Sequence, residues 1–303
     1  MYYAFDIESG SIVWSYDFNE DVGLATFHGD PLLVDDLVIT GTESLLPPEM
    51  RAFDQRTGRV VWKRADEWSL TRSDVIGFEN LAIGRNQQGE LVALDSRSGE
   101  KVWHVPHQGE TFRPDVGESP AVYEESIIFS APDGFLYRVA ADSGSFIWRL
   151  DLGCDVSTSV AVSGDDVYVG CNDGQLFHVS ASDGDPLATL ALGQPLEGRL
   201  LILPDRLVVP GGRAWFGTVD RNLAGVIWER TDLTRLSVVQ PIIWKGALLT
   251  GTGEGRLLGL SPEDGRTVWT IQLEGSIRGL GTHNDILLVG TIGGTVYALR
   301  AER

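Results

Sequence analysis

Lysine, cysteine and long apolar runs are scarce in this chain of 303 residues. No stretch of about eighteen apolar residues occurs, which excludes a helical membrane span. Met1 to Asp6 has neither a basic region nor an apolar core, so no signal peptide is read there. That start falls inside a repeat, which hints at trimming from a longer parent. Only Lys63, Lys101 and Lys245 among the 24 basic residues are lysines, and the net charge is -19. Such a surface repels nucleic acid and anionic membranes. It reads as solubility, adaptation to high salt, or an Arg-favouring genome. The two cysteines, Cys154 and Cys171, set no redox compartment. A hairpin turning at Ser163 to Asp166 puts Cys171 opposite a residue near Thr158, which argues against a disulfide. No glycosylation sequon is present.

Catalytic signatures are missing too. There is no G-x-S-x-G elbow, no H-E-x-x-H and no G-K-[ST] loop. Gly251-Thr252-Gly253-Glu254-Gly255 lies between two strands with no helix after it, so it reads as a hairpin turn. His104 and His107 are two ligands where a metal site needs more; they read as a surface loop, and no metal site is assigned.

What the chain does have is a recurring phrase, A-x-D-x-x-x-G-x-x-x-W. It runs Ala4 to Trp14, Ala52 to Trp62 and Ala93 to Trp103. Looser copies reach Trp148, Trp228 and Trp269, and one has Ala188 in the Trp position. Successive Trp positions lie 40 to 48 residues apart. A strand-built repeat of that length means a β-propeller or a β array. Between phrases each unit reads strand, turn, strand, Asp-Gly-type turn, strand, turn, strand: a four-stranded antiparallel blade. Seven first-and-second-strand hairpins and eight equivalents of Ala4 are countable. The expectation is a single all-β propeller domain over 1–303, of seven blades with eight as the alternative. The ring is closed by N- and C-terminal strands, with Ser11 to Trp14 ending the blade that begins at Thr270. One third strand, Tyr2 to Asp6 or Thr295 to Leu299, is then redundant.

Each phrase residue has a structural reason. The Gly tolerates positive φ in a tight turn. The Asp accepts turn amides. The Trp covers a neighbouring blade with roughly 150–250 Å².

The phrase resembles the tryptophan-docking motif of pyrroloquinoline-quinone-type (PQQ-like) propeller repeats, and the resemblance covers the whole chain. That family includes quinoprotein alcohol dehydrogenases, BamB-type outer-membrane assembly propellers and ligand-sensing propellers fused to kinases. Ala140, Ser180, Ser261 and Arg300 replace the Asp, and Ala224 replaces one Gly. A quinoprotein dehydrogenase would be about twice as long, with adjacent cysteines and a calcium site. None is found here, so no cofactor is assigned and neither PQQ nor calcium has a visible site. The resemblance permits a periplasmic or extracellular location in a longer precursor; the chain itself leaves the compartment open.

First strands line a propeller's channel, and loops at its mouth carry function on a rigid scaffold. Alignment of the hairpins places Asp30, Arg72, Glu118, Thr158, Arg199, Gln240 and Arg278 at that mouth. Converging arginines favour carboxylates or phosphates. The competing reading pairs these arginines with Glu118, Asp74 and Asp115. Trp68 and Trp244 lie outside the phrase and are candidate interface anchors. Leu45-Leu46-Pro47-Pro48 in the insertion Glu43 to Met50 suits partner contact. The expectation is a non-catalytic scaffold for a protein or peptide, bound at the propeller face and central channel, with a small anionic ligand as a lesser option. Membrane insertion is not expected. A ligand-sensing domain of a larger receptor or kinase is the alternative, and a quinoprotein-type oxidoreductase a second.

Overall fold

The computed structural model describes residues 2–18, 29–42, 48–70, 73–106, 119–131, 133–212, 215–233, 236 and 239–301. The chain divides into two compact units, Met1–Val156 and Ser157–Arg303. Among the described residues, every named strand in both units pairs antiparallel, in the meander order of propeller blades. Among the described residues no helix is long and apolar enough to cross a membrane.

The first unit opens with a two-stranded sheet, β1 (Tyr2–Phe5) and β2 (Ile12–Tyr16). Three four-stranded blades follow. They are β3 (Leu32–Val34), β4 (Leu37–Thr42), β5 (Glu49–Asp54) and β6 (Val60–Arg64); then β7 (Ile76–Phe78), β8 (Leu81–Arg85), β9 (Leu91–Asp95) and β10 (Lys101–Val105); then β11 (Ala121–Tyr123), β12 (Ser126–Ser130), β13 (Phe135–Ala140) and β14 (Phe146–Asp151).

The second unit holds three more. They are β15 (Ala161–Ser163), β16 (Asp166–Gly170), β17 (Gln175–Ser180) and β18 (Pro186–Ala191); β19 (Leu201–Ile202), β20 (Arg206–Gly211), β21 (Trp215–Asp220) and β22 (Val226–Arg230); β23 (Ile242–Trp244), β24 (Ala247–Gly251), β25 (Arg256–Leu260) and β26 (Thr267–Gln272). The last sheet has three strands, β27 (Ile277–His283), β28 (Ile286–Thr291) and β29 (Val296–Arg300).

The seven hairpins and eight third strands read from the sequence are all present. Strand β2, expected to end the last blade, is hydrogen-bonded to β1 with Ala4 opposite Trp14. The redundancy is thereby resolved, because β1 and β29 both form. A short local turn closes β1 on β2 at small entropic cost.

Second strands read as consecutive apolar residues because both their faces are covered. Strands β8, β12 and β24 are buried along their whole length. The core is a series of layers between blades. One joins Ile83, Leu91 and Trp103 to Ile127, Phe129 and Val139. In the second unit, Leu176 and Leu196 meet Leu207, Val209 and Trp215. Each such side chain contributes roughly 1.5–3 kcal/mol when fully buried.

The phrase bolts one blade to the next. Trp14 Nε1 donates to the Gln55 carbonyl at 2.8 Å. Trp62 donates to Ser96 at 2.9 Å, Trp103 to Ala141 at 3.0 Å and Trp228 to Pro262 at 2.8 Å. Each acceptor is the residue after the Asp position in the next phrase. The indole face lies on that phrase's glycine. A Cβ on Gly58 would sit 2.6 Å from the Trp14 ring, and one on Gly265 would sit 2.4 Å from Trp228. The glycine is therefore needed twice, once for its positive φ (+69° at Gly58) and once for the indole above it. Two residues after the Trp, Arg64 and Arg230 donate to the carbonyls of Gly99 and Gly265 at 2.6 and 2.7 Å. The Asp closes its own turn: Asp54 Oδ1 accepts from Thr57 N and Oγ1 at 2.7 and 2.6 Å. The Thr57 bonds hold that carboxyl below the usual carboxylate range.

The cysteines depart from expectation. Both are disulfide-bonded. The ideal hairpin register does not extend back to Cys154, because Ser157 N and Thr158 N both donate to the Gly170 carbonyl. Two amides on one acceptor mark a chain that turns out of the ladder, and Cys154 lies beyond that turn.

Candidate binding surface at the first-strand starts

The residue two positions before each first strand defines the geometry of this surface. In the first unit these residues are Asp30, Asp74 and Ser119. The Asp74 carboxylate joins them. Its Oδ1 accepts from Asp30 N at 2.7 Å and its Oδ2 from Ser119 Oγ at 2.5 Å. The lead-in segments approach closely, since a Cβ on Gly29 would meet the Ser73 carbonyl oxygen at 2.1 Å. Asp30 itself is exposed. Asp74 was visible in the sequence only as a counter-ion for arginine. Its bridging position follows from the hairpin register.

In the second unit the equivalent residues are Ser159, Arg199 and Gln240. Ser159 N donates to the Gly198 carbonyl at 3.0 Å. Arg199 Nη1 donates to Gln240 Oε1 at 3.0 Å. The structure thus brings two of the sequence-derived candidates together. Thr158 stands one residue early and is fully buried; its Oγ1 accepts from Gly170 N at 2.8 Å. Arg278 lies inside the longer first strand β27, one residue before Gly279, which the pairing of His283 with Ile286 makes the equivalent position. It is exposed at a register shift between Ile277 and Gly279, with no hydrogen bond or ion pair to a described residue. Arg72, Glu118, Asp115, His107 and Leu45 to Pro47 lie outside the described residues.

The two tryptophans fold back onto blades. Trp68 packs tilted against His104 with ring centroids 4.6 Å apart, and Lys101 Nζ lies 3.8 Å from its ring. Trp244 meets Trp269 edge-on and packs against the core layer of Leu249 and Ile277. Both remain partly exposed.

The second unit also holds a partly buried polar network that sequence reading missed. His178 Nε2 lies 2.8 Å from Asp166 Oδ1, and Arg221 Nη2 lies 2.9 Å from Asp166 Oδ2. The Tyr168 ring stacks on the imidazole, 4.6 Å between centroids. No nucleophile sits beside this imidazole among the described contacts, so the network reads as structural. One group of potential metal ligands comes together among the described residues: Cys154, Cys171 and Asp173. The disulfide takes both sulfurs, which leaves a single carboxylate.

A family model described as outer membrane protein assembly factor BamB matches residues 1–134 and 132–279. The chain is 23% identical to outer membrane protein assembly factor BamB of Yersinia pestis over 312 residues, 97% of this chain and 78% of that protein. It is 23% identical to the protein so named in Salmonella typhimurium, covering 95% and 88% of the two chains. Among solved structures, BamB from Moraxella catarrhalis aligns with a TM-score of 0.80 at 20% identity, over 96% of this chain and 89% of that one. A quinohemoprotein alcohol dehydrogenase from Comamonas testosteroni aligns at 0.72 and 12% identity, over 91% and 65%. At these identities the structural likenesses establish the fold alone.

Proposed function

This chain belongs to the family of outer membrane protein assembly factor BamB, and we propose that it is a non-catalytic scaffold serving outer membrane protein assembly. The observation that carries the reading is the family match across both units, with blades inside each unit bolted by the same phrase. A rigid frame with loops at one face suits capture of another protein.

The partner-facing residues are those at the first-strand starts. Arg199, held by Gln240, and the exposed Arg278 offer guanidinium donors to carboxylates of an acidic peptide segment. Asp30 and Asp74 give the first unit's rim the opposite sign. The disulfide supports residence in an oxidising compartment such as the periplasm, since cytosolic thiols are kept reduced.

A photo-crosslinking amino acid at Gln240, activated in cells, tests the scaffold. The expected product is a discrete adduct with an envelope protein, weakened by Arg199→Ala with Arg278→Ala. Absence of any protein adduct would overturn the reading.

A further inference from the structure

Among the described residues six sheets are complete with a fourth strand, and each fourth strand is paired along one side only. An unpaired edge invites another strand, and proteins blunt it with charge, proline or a bulge. Four of the six carry charge: Lys63 and Arg64 on β6, Lys101 on β10, Arg149 and Asp151 on β14, Glu229 and Arg230 on β22. Strands β18 and β26 carry none, and β18 also lacks the indole, with Ala188 in its place. Complete sheets precede and follow β18 in the chain, so its edge belongs to the fold and not to a terminus.

The edge of β18 is blunted at its first end only. Pro186 offers no N–H, and the register with β17 shifts between His178 and Val179. From Ala188 to Ala191 the ladder runs straight, opposite His178 to Gln175. Leu187 is 54% exposed, and Thr189 and Ala191 are exposed as well. Ala188, Thr189 and Ala191 are small, so a second backbone can approach to the ~4.8 Å of a paired strand.

Charge decides what fits there. Asp183 and Asp185 are exposed just before the strand. Asp173 is exposed in the turn beside its far end, where Leu192 N donates to the Gly174 carbonyl at 2.9 Å. An antiparallel second copy of β18 would set Asp185 of one chain near Asp173 of the other, like on like. A segment with basic residues at both ends and an uncharged, extended middle meets opposite charge at each end instead. Leu187 to Ala191 spans about 17 Å, which places those basic ends roughly six residues apart.

We infer that the outer edge of β18 binds an extended segment of a partner polypeptide by strand addition, an uncharged stretch flanked at both ends by Lys or Arg. Main-chain bonds supply the affinity and the flanking aspartates the selection. The inference rests on the scaffold reading and adds to it the chemistry of a second partner segment.

A labelled synthetic peptide, Arg-Lys-Val-Thr-Val-Thr-Val-Arg-Lys, is titrated into the full chain at low salt and followed by fluorescence anisotropy. Saturable binding is expected, with slowed amide exchange at residues 187–191. A second peptide, with proline in place of both threonines, keeps the charge and loses main-chain donors; it should bind about tenfold more weakly. Asp173→Asn, Asp183→Asn and Asp185→Asn together should weaken the first peptide about three- to tenfold, a difference that added salt removes. Asparagine can accept the bonds that Asp173 and Asp183 take from Gln175 N and Asp185 N, so this variant keeps its melting temperature, and that is checked first. Five results overturn the inference: no saturable binding, equal binding of the proline peptide, equal binding by the asparagine variant, slowed exchange that avoids 187–191, or a homodimer that protects 187–191 without peptide. If any of these occurs while Gln240 still cross-links to an envelope protein, the docking edge falls and the scaffold stands.

Discussion

The Tyr168 hydroxyl donates to the Arg221 carbonyl at 2.8 Å. Arg221 follows Asp220, so its carbonyl is the one that an indole nitrogen reaches at Gln55, Ser96, Ala141 and Pro262. The preceding blade has Ala188 where its Trp should be. Tyr168 takes over the hydrogen bond, and Leu223, at φ +57°, is buried against Tyr168 and Ala188. Loss of the Trp and loss of the phrase glycine occur at the same junction, and each explains the other.

Tyr168→Phe should destabilise the second unit by about 0.5–1.5 kcal/mol, because the partly buried Arg221 carbonyl loses its donor. Ala188→Trp alone should also destabilise, since Leu223 fills the space. Ala188→Trp with Leu223→Gly should recover part of that loss. Denaturant melts of these variants, of Leu223→Gly alone and of the unaltered chain check this; additive costs in the double variant would refute the coupling.

Gly10 and Gly58 have the same φ, +69°, but different surroundings. A Cβ at Gly10 meets nothing within 4 Å, whereas one at Gly58 would enter the Trp14 ring. Gly10→Ala should cost about 1–2 kcal/mol of backbone strain. Gly58→Ala should cost that and a further 1–3 kcal/mol or so as the indole is displaced. Equal melting temperatures would mean that the docking contributes nothing.

Reduction of the Cys154–Cys171 disulfide releases a constraint on a short loop. Loops of that size are worth about 3 kcal/mol. Dithiothreitol, or Cys154→Ser with Cys171→Ser, should lower the melting temperature. An unchanged melt would show that the link constrains nothing in the unfolded chain.

Stability should fall at both ends of the pH scale. Asp6 and Asp54, bonded by Ser9 and Thr57, and Asp232 and Asp285, bonded by Arg230 and Lys245, titrate below their ordinary value. Their contribution is complete above about pH 4 and is lost as pH falls further. Burial pushes Tyr2 up to about 12. Its contribution is present below about pH 10 and is lost as pH rises towards that value. Asp54→Asn should flatten the acid limb and leave the alkaline limb unchanged. Added salt should raise the melting temperature near pH 7 by screening a net charge of -19.

The blade order was legible because Asp-Gly turns, paired apolar residues and a fixed Trp spacing are local signals. Third-strand Ala52 and Ala93 and fourth-strand Trp62 and Trp103 fell where the phrase put them. The rim was read less closely, since lead-in residues such as Asp74 and Ser119 have no periodicity and their roles depend on the neighbouring blade. Cys154 was misread for a related reason: a ladder register stops at the first turned residue. Tyr168 gave no signal at all, because its role exists only where Ala188 has replaced a tryptophan.

At four joints one sheet supplies a plug, its tryptophan, and the next a socket, the turn that ends in the phrase glycine. Any blade of that kind mates with any other, so such a chain can gain or lose a unit by gene duplication or deletion and still close every joint. The joint between Ala188 and Leu223 is the exception. Its socket is already filled from within, so it accepts neither a copied blade on one side nor a standard plug on the other. That mismatch sets a fixed reading frame among the joints that match.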